Sequence, residues 1–193
     1  MGVKYGSAAP VYKITLLGDG AVGKTSLRDR FMRKPIPGDY LMTIGADFAA
    51  KTVEIRNKAV KFQIWDLAGQ PRFESVREPY YKGTVGGLLV FDVTRPTSFE
   101  STPSWIKEIW KHNGKGRIPL VLLGNKIDLR SSVEPSIYPV HGEALAAEFS
   151  KFCVKEGFKV PYIETSAKTG ENVDRAFQIL GEIITDFIAK QLA

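Results

Sequence analysis

The sequence predicts an α/β domain built around a mostly parallel β-sheet. Apolar runs alternate with segments of helical periodicity along nearly the whole chain, which is typical of this class. Residues 87–92 and 120–124 are continuous apolar runs without polar alternation. Such runs indicate central strands whose two faces are both covered by helices.

Six strands are predicted in order. The run before the first glycine-rich segment, Val11–Leu17, is a buried strand. Residues 48–55 and 60–66 flank a turn at Arg56-Asn57-Lys58, so we expect them to pair as an antiparallel hairpin. The remaining strands are 87–92, 120–124 and a short last one at 161–164.

Helices are predicted between the strands, beginning with residues 26–32. Thr102-Pro103 resembles an N-cap followed by proline at the first helical position. Two later segments carry apolar side chains at helical spacing, and we expect these side chains in the core. They are Leu145, Phe149, Phe152 and Cys153, and then Val173, Ala176, Phe177, Leu180, Ile183, Ile184, Phe187 and Ile188.

Composition indicates one globular domain of ordinary type. The 193 residues are 44% hydrophobic and 25% charged. We expect a flexible segment over residues 1–10 and a domain over 11–190. The single cysteine excludes an internal disulfide, fits a reducing compartment and is expected to be a small buried side chain. No signal peptide or membrane-spanning run is recognised, so a monomeric, cytoplasmic protein is expected.

The net charge of +6 arises partly from basic clusters at 28–34, 107–117 and 151–159. We expect solvated helix faces there, with an anionic membrane or nucleic acid as the alternative partner. No nucleic-acid-binding module accompanies the clusters, so no nucleic acid is expected. His112, at a helix end, and His141, in a loop, are expected to have surface or capping roles.

The segment from Gly18 to Thr25 reads G-x-x-x-x-G-K-[ST], the P-loop pattern. Glycines let the backbone curl so that successive N–H groups point at phosphate oxygens, and the following helix adds the positive end of its dipole. Lys24 is expected to reach the β- and γ-phosphates, and the Thr25 hydroxyl to ligate Mg²⁺. The predicted phosphate-binding residues are Asp19, Gly20, Ala21, Val22, Gly23, Lys24, Thr25 and Ser26.

Three later segments indicate which nucleotide the P-loop binds. The stretch 66–70, Asp-Leu-Ala-Gly-Gln, offers a carboxylate for Mg²⁺ and a glycine for close approach to the γ-phosphate. Asp128, within Asn-Lys-Ile-Asp at 125–128, can accept two hydrogen bonds from guanine, whereas adenine offers no such donor pair. Backbone N–H groups of Ser166 and Ala167, in the stretch 164–168, are predicted to bind the guanine O6.

Taken together, GDGAVGKT, Thr43, DLAGQ, NKID and ETSAK resemble the small GTPases of the Ras superfamily over nearly the whole chain. The stretch Thr-Ile-Gly-Ala-Asp-Phe at 43–48 resembles the Rab family in particular. So does Trp-Asp-x-Ala-Gly-Gln-x-Arg-Phe at 65–73, followed by Tyr80-Tyr81. The resemblance implies a P-loop NTPase (small G-protein) fold. That fold is a three-layer sandwich whose six-stranded sheet has one antiparallel strand and helices on both faces.

The resemblance also implies a GTP/GDP switch that hydrolyses GTP slowly, with Mg²⁺ as cofactor. Gln70 would orient the attacking water, Lys24 would neutralise phosphate charge, and Gly20 would leave room for both Gln70 and an incoming arginine. Thr25, Thr43 and Asp66 are the implied metal residues. Thr43 and Gly69 would sense the γ-phosphate, and the guanine site would comprise Asn125, Lys126, Asp128, Ser166, Ala167 and Lys168. Effector-binding candidates are Ile44, Phe48, Trp65, Phe73 and Tyr80; an exchange factor and an activating protein are expected partners.

Several positions depart from the Rab pattern. Pro71 follows Gln70 where glutamate is usual and removes an N–H, and Met42 replaces a proline. The segment 131–139 belongs to a longer stretch than the family norm and is expected to be a surface loop, with a partner-specific loop as the alternative. The C-terminal residues carry no prenylation cysteine, so no lipid anchor is expected, and membrane contact is expected only through a partner, if at all.

Three alternative functions stay open. The first is a pseudo-GTPase that holds GTP as a structural element, which Pro71 favours and Gln70, Thr43 and Gly20 oppose. The second is a GTPase acting on RNA, suggested only by the basic charge. The third is an ATP-dependent enzyme, which would leave Asp128 without a role. No arginine of this chain is assigned to catalysis, although Arg28, Arg33 and Arg72 lie in or near the relevant segments.

Overall fold

A computed structural model describes residues 9–35, 43–70 and 73–192. Within them the chain forms a six-stranded sheet in the order β2-β3-β1-β4-β5-β6. The strands are β1 (Val11–Leu17), β2 (Ala46–Ile55), β3 (Lys58–Leu67), β4 (Gly86–Asp92), β5 (Leu120–Asn125) and β6 (Tyr162–Thr165). Every predicted strand is present: β1 has the predicted bounds, β2 to β5 are one to three residues longer than predicted, and β6 is shifted by one residue.

One strand pair is antiparallel, and the others are parallel. β2 pairs antiparallel with β3 in a register that places Phe48 opposite Trp65, so the predicted hairpin is confirmed. The turn uses Arg56 and Asn57, both at positive φ, as a tight connection between twisted strands requires. β1, β3, β4, β5 and β6 run in one direction, so the loops after them meet at one edge of the sheet.

The sheet is covered on both faces. Side chains alternate along β4, with Leu88 and Val90 in one apolar cluster and Leu89 and Phe91 in the other. The first cluster includes residues of α1 (Lys24–Phe31) and α6 (Val173–Gln191), and the second includes residues of α4 (Thr102–His112) and α5 (Pro139–Phe152). The predicted three-layer α/β architecture is therefore confirmed.

The helix boundaries differ from prediction at several points. α1 begins at Lys24, not at residue 26, so the P-loop lysine is already helical. Thr102 is the first residue of α4 and Ser101 occupies the N-cap, because the Thr102 hydroxyl turns back to the Phe99 carbonyl. Two short helices were not predicted: α2 (Glu74–Tyr81), which contains Pro79, and α3 (Pro96–Glu100).

Individual side chains also depart from expectation. Phe152 is exposed, because α5 turns this position away from the sheet, whereas Cys153 is buried as predicted. His141 lies in the first turn of α5, not in a loop, and its Nδ1 accepts the Tyr138 N–H at 3.1 Å. Arg28 belongs to a cluster expected to be solvated, yet it is buried because acidic side chains surround its guanidinium.

The segment 131–139 begins within a 3₁₀ helix, Ile127–Ser132, ends at the first residue of α5, and is anchored near that end. The Ile137 N–H donates to the Val93 carbonyl at 2.7 Å, and the Arg130 guanidinium bonds both Ile137 and Glu164. Exposed Val133 and Tyr138 agree with a surface location. No helix in the described part of the chain is both long and apolar enough to cross a membrane.

Candidate nucleotide site

The P-loop connects β1 to α1 and contains two positions that only glycine can occupy. Gly18 has φ +126°, and a Cβ there would lie 2.0 Å from the Val90 carbonyl oxygen. Gly23 has φ +97°, and a Cβ there would lie 2.3 Å from Asn125 Nδ2. The glycines of the motif thus let the loop lie against β4 and β5, which sets the curvature that a phosphate cradle needs.

Lys24 lies at the mouth of this loop. It is 6% exposed, and its Nζ donates to the carbonyls of Gly18 at 2.7 Å and Asp19 at 2.8 Å. Burial lowers the pKa of Lys24 to about 8, the Arg77 cation acts in the same direction, and Asp66 opposes both. The structure therefore places a confined ammonium group where the motif predicts a phosphate-binding lysine.

Three oxygen-bearing side chains from different elements meet beside it. The Thr25 hydroxyl lies 3.0 Å from that of Thr43 and donates to Asp66 Oδ2 at 2.5 Å. Asp66 is fully buried at the end of β3, and burial raises its pKa, against the Thr25 hydrogen bond and the charge of Lys24. Its second oxygen, Oδ1, has no hydrogen-bond partner among the residues that the structure describes.

This trio fits the chemistry of Mg²⁺. Hydroxyl and carboxylate oxygens are its preferred ligands, and Mg²⁺ usually keeps waters and substrate phosphates in its other positions. The described residues contain no group of three or more His, Cys, Asp or Glu side chains that could hold a metal, so a site with a single carboxylate is what this region offers. The orphaned Asp66 oxygen is a ready acceptor for a metal-bound water.

Gly69 and Gln70 follow β3 and lie directly against the P-loop. A Cβ at Gly69 would be 2.3 Å from Lys24 Nζ and 2.4 Å from backbone atoms of Gly18 and Asp19. A Cβ at Gly20 would lie 3.4 Å from Gln70 Cγ. The predicted water-orienting side chain and the glycine predicted to leave it room are therefore neighbours. Pro71 and Met42, the two departures from the Rab pattern nearest to this region, lie outside the described residues.

The loops after β5 and β6 meet at the other end of the P-loop. Asn125 Nδ2 donates to the Val22 carbonyl at 2.8 Å, and its Oδ1 accepts from the Thr165 hydroxyl and the Ala167 N–H, both at 3.2 Å. Asp128 Oδ1 accepts the Ser166 hydroxyl at 2.6 Å. The predicted base-binding segments are thereby held together, with Asn125 as their link to the phosphate loop.

The predicted guanine O6 contact stays a prediction. In the structure the Ser166 N–H donates to the Glu171 carbonyl at 3.1 Å, and the Ala167 N–H has Asn125 as its partner. Lys126 has φ +68° and pairs with Asp92 at 2.7 Å. The Lys168 carbonyl accepts from the Arg30 guanidinium, which joins α1 to this loop.

The aromatic effector candidates form one continuous group. Ring centroids of Phe48 and Trp65 are 5.3 Å apart, and those of Trp65 and Tyr80 are 5.4 Å apart. Phe48 and the neighbouring Ile44 are exposed, with 48% and 75% of their surfaces accessible. The fifth candidate, Phe73, donates its N–H to the Gln70 carbonyl at 3.0 Å and so lies beside the segment that is predicted to be catalytic.

Two arginines near the site were missed by sequence reasoning. Arg95 follows β4 and donates from Nη2 to the Gly20 carbonyl at 2.7 Å, while its buried Nε has no partner within the described ranges. Arg77, on α2, is 2% exposed and bonds the backbone after β3. The position of Arg95 just beyond a central parallel strand was an available signal. For Arg77 the signal was its four-residue spacing from the buried Tyr81.

Comparison with known proteins agrees with this geometry. A sequence model of the Ras family matches residues 13–186. The chain is 41% identical over 175 residues to Ras-related protein RABA2a of Arabidopsis thaliana, covering 90% of this chain and 75% of that protein. It is 40% identical over 174 residues to Ras-related protein Rab-13 of Rattus norvegicus, covering 90% and 80%. It is 40% identical over 168 residues to Ras-related protein Rab-11A of Dictyostelium discoideum, covering 87% and 73%.

Proposed function

The chain belongs to the Ras family of small GTPases, with Rab proteins among its relatives, and on that premise we propose that it is a GTP/GDP switch that hydrolyses GTP. Family membership implies binding of guanine nucleotide and Mg²⁺. The observation that carries the proposal is the convergence of Thr25, Thr43 and Asp66 beside the P-loop lysine, with one Asp66 oxygen left orphaned.

We assign each end of the nucleotide to a different set of loops. Phosphates would lie on the N–H groups of the P-loop and on Lys24, where the N-terminus of α1 adds favourable electrostatic potential. The base would lie between the loops after β5 and β6, with Asp128 accepting the N1–H and N2–H₂ donors of guanine. The Ser166 hydroxyl, which already donates to Asp128, would hold that carboxylate in place.

Hydrolysis would depend mainly on positioning and charge stabilisation. Gln70, 3.4 Å from the position of a Gly20 Cβ, would orient the attacking water. Lys24 would stabilise charge that develops on the phosphate oxygens. Thr25 and Thr43 would ligate Mg²⁺ and Asp66 would hold its water; the ion supplies charge neutralisation between the β- and γ-phosphates.

Switching would couple the segments that contain Thr43 and Gln70. The Ala68 N–H donates to the Gly45 carbonyl at 2.9 Å, so the two segments are directly bonded. γ-Phosphate contacts at Thr43 and Gly69 would order them in the GTP state, and release of phosphate would relax them. The adjoining aromatic group of Phe48, Trp65 and Tyr80, with Ile44 and Phe73, would then present the state of the nucleotide to effectors.

The protein would control when effectors are bound in membrane traffic or signalling. It would act as a cytoplasmic monomer, and its partners would be effectors, an exchange factor and an activating protein. Because cleavage without a partner is expected to be slow, an arginine supplied by an activating protein would accelerate it by about 10³–10⁵-fold.

The test is single-turnover cleavage of bound GTP by purified protein in Mg²⁺, with Gln70→Ala beside it. Slow cleavage that Gln70→Ala slows further would support the proposal. Cleavage equal to buffer in both proteins would overturn the hydrolytic part and favour the alternative of a GTP-bound scaffold. Release of a fluorescent GDP analogue, measured in parallel, separates lost chemistry from lost nucleotide.

A further inference from the structure

Arg77 is a buried cation that bonds the backbone of the segment containing the proposed catalytic glutamine. From Nη1 it donates to the Ala68 carbonyl at 3.1 Å and to the Gln70 carbonyl at 2.9 Å. Its side chain is 3% exposed, so these bonds form away from bulk water. An arginine that only balanced charge would not need to bond two carbonyls of one neighbouring segment.

The other side of the guanidinium is held by α4. Nε and Nη2 donate to the two carboxylate oxygens of Glu108 at 2.9 and 3.0 Å, which is a bidentate pair. Tyr81 also donates to Glu108 at 2.8 Å, and burial raises the pKa of that tyrosine so that it stays a donor. All the nitrogen atoms of the guanidinium are therefore engaged, and its orientation is set by α4.

The same face of α4 also holds the P-loop. The Arg77 guanidinium lies 4.4 Å from the centroid of the Trp105 ring, and Trp105 Nε1 donates to Asp19 Oδ1 at 2.8 Å. Ser101, at the N-cap of α4, donates to the same oxygen at 2.8 Å. Ser101, Trp105 and Glu108 follow helical spacing, so one face reaches both the phosphate loop and Arg77.

We propose that Arg77 is a positioning residue for GTP hydrolysis. It fixes the backbone of Gln70 to α4, which also fixes Asp19 of the P-loop, so that the water-orienting side chain keeps its spacing from the phosphates. The inference rests on the proposed function, because it assumes that Gln70 acts on a bound GTP. Arg77 bonds the Gln70 backbone and would act on the reaction through Gln70.

The test uses a variant that leaves no buried charge alone. Arg77→Met by itself would leave the Glu108 carboxylate buried without its partner cation, which is strongly destabilising. It is therefore combined with Glu108→Gln, whose amide oxygen can still accept the Tyr81 hydroxyl. We expect single-turnover GTP cleavage to slow by roughly tenfold or more, since misplacement of a catalytic group is costly. The release rate of a fluorescent GDP analogue should change less than about twofold, because the hydrogen bonds of Arg77 go to Ala68, Gln70 and Glu108 and to none of the predicted nucleotide-binding residues.

A cycle with Gln70→Ala separates positioning from general stability. If Arg77 acts through Gln70, the Met/Gln pair will slow cleavage in the wild-type background and have no further effect once Gln70 is alanine. Equal slowing in both backgrounds, or no slowing in either, would overturn the inference. The single variant Arg77→Lys should cleave GTP faster than the Met/Gln variant, because an ammonium group can still bond one of the carbonyls of Ala68 and Gln70.

A second readout does not depend on hydrolysis. Hydrogen exchange of the Ala68 N–H, which donates to the Gly45 carbonyl, should accelerate in the GDP-bound Met/Gln variant because the carbonyl of the same residue loses the Arg77 contact that holds this backbone in place. Arg117→Met, which removes a remote pair with Glu156, is the matched control and should leave this amide unchanged. Unchanged exchange in the Met/Gln variant would overturn the contact itself. Failure of wild-type cleavage would instead overturn the proposed function, and Ala68 exchange would then still show whether Arg77 holds the backbone of this segment.

Discussion

Gly69→Ala is expected to separate the proposed catalytic segment from the P-loop. The added methyl carbon would lie 2.3 Å from Lys24 Nζ and 2.4 Å from both the Asp19 carbonyl carbon and the Gly18 carbonyl oxygen. The lysine end can swing aside, but the two backbone atoms belong to a loop held by β1 and by its own glycine geometry. The segment after β3 must therefore move away.

The displacement can be estimated from these distances. Ordinary van der Waals contact of a Cβ begins near 3.4 Å, so the segment must retreat by about 1 Å from atoms now at 2.4 Å. A misplacement of 1 Å near the chemistry costs about 10²-fold in rate, which corresponds to about 2.7 kcal/mol in the activation free energy. We expect Gly69→Ala to slow single-turnover GTP cleavage by this factor.

The assay follows phosphate release from GTP-loaded protein in Mg²⁺, with thermal unfolding of the same samples. Gly114→Ala is the control: Gly114 has a positive φ of +78°, which Gly69 does not have, but a Cβ at Gly114 meets nothing within 4 Å. It should cost stability through backbone strain while leaving cleavage unchanged. If Gly69→Ala cleaves GTP within threefold of the wild type, the tight packing against the P-loop does not limit the reaction and the reasoning is wrong.

Three further predictions follow from single contacts. Asp128→Asn should shift base preference from guanine towards xanthine by on the order of 10⁴-fold, because the carboxylate acceptor is lost. Competition binding of the guanine and xanthine nucleotides measures the preference, and an unchanged preference would contradict the base assignment. Gly20→Val should slow GTP cleavage by roughly tenfold or more. A Cβ at Gly20 would already lie 3.4 Å from Gln70 Cγ, so the valine methyl groups would enter the space of the Gln70 side chain. Equal single-turnover rates for variant and wild type would refute the placement of Gln70 beside Gly20. Cys153 is fully buried, and burial raises the pKa of its thiol to about 11. The native protein should therefore not react with a disulfide reagent at pH 8, whereas the unfolded protein should react. Prompt reaction of the native protein would show that this end of α5 opens readily.

Much of the fold could be predicted because its signals are local. Continuous apolar runs marked β4 and β5, and the hairpin turn marked the antiparallel pair. α2 and α3 were missed for the opposite reason: α3 has five residues and α2 contains Pro79, so neither presents a long helical period. Phe152 was misplaced because its spacing from Leu145 and Phe149 suggested the apolar face of α5, whereas in the structure the helix exposes Phe152 and buries the adjacent Cys153.

The candidate site shows the same division. The sequence by itself determined the candidates for holding phosphate, metal and base, because Lys24, Asp66 and Asp128 each lie in a short motif whose chemistry is carried by adjacent residues. Only the tertiary structure decided that Arg77 bonds the Gln70 segment and that Trp105 bonds the P-loop. The Trp105 contact joins residues that are 86 positions apart, and the Arg77 guanidinium is oriented towards Gln70 by Glu108, which is 31 positions from Arg77 in the chain. The geometry of these contacts depends on how α2 and α4 pack on the sheet, and no local pattern encodes the distance between two packed elements.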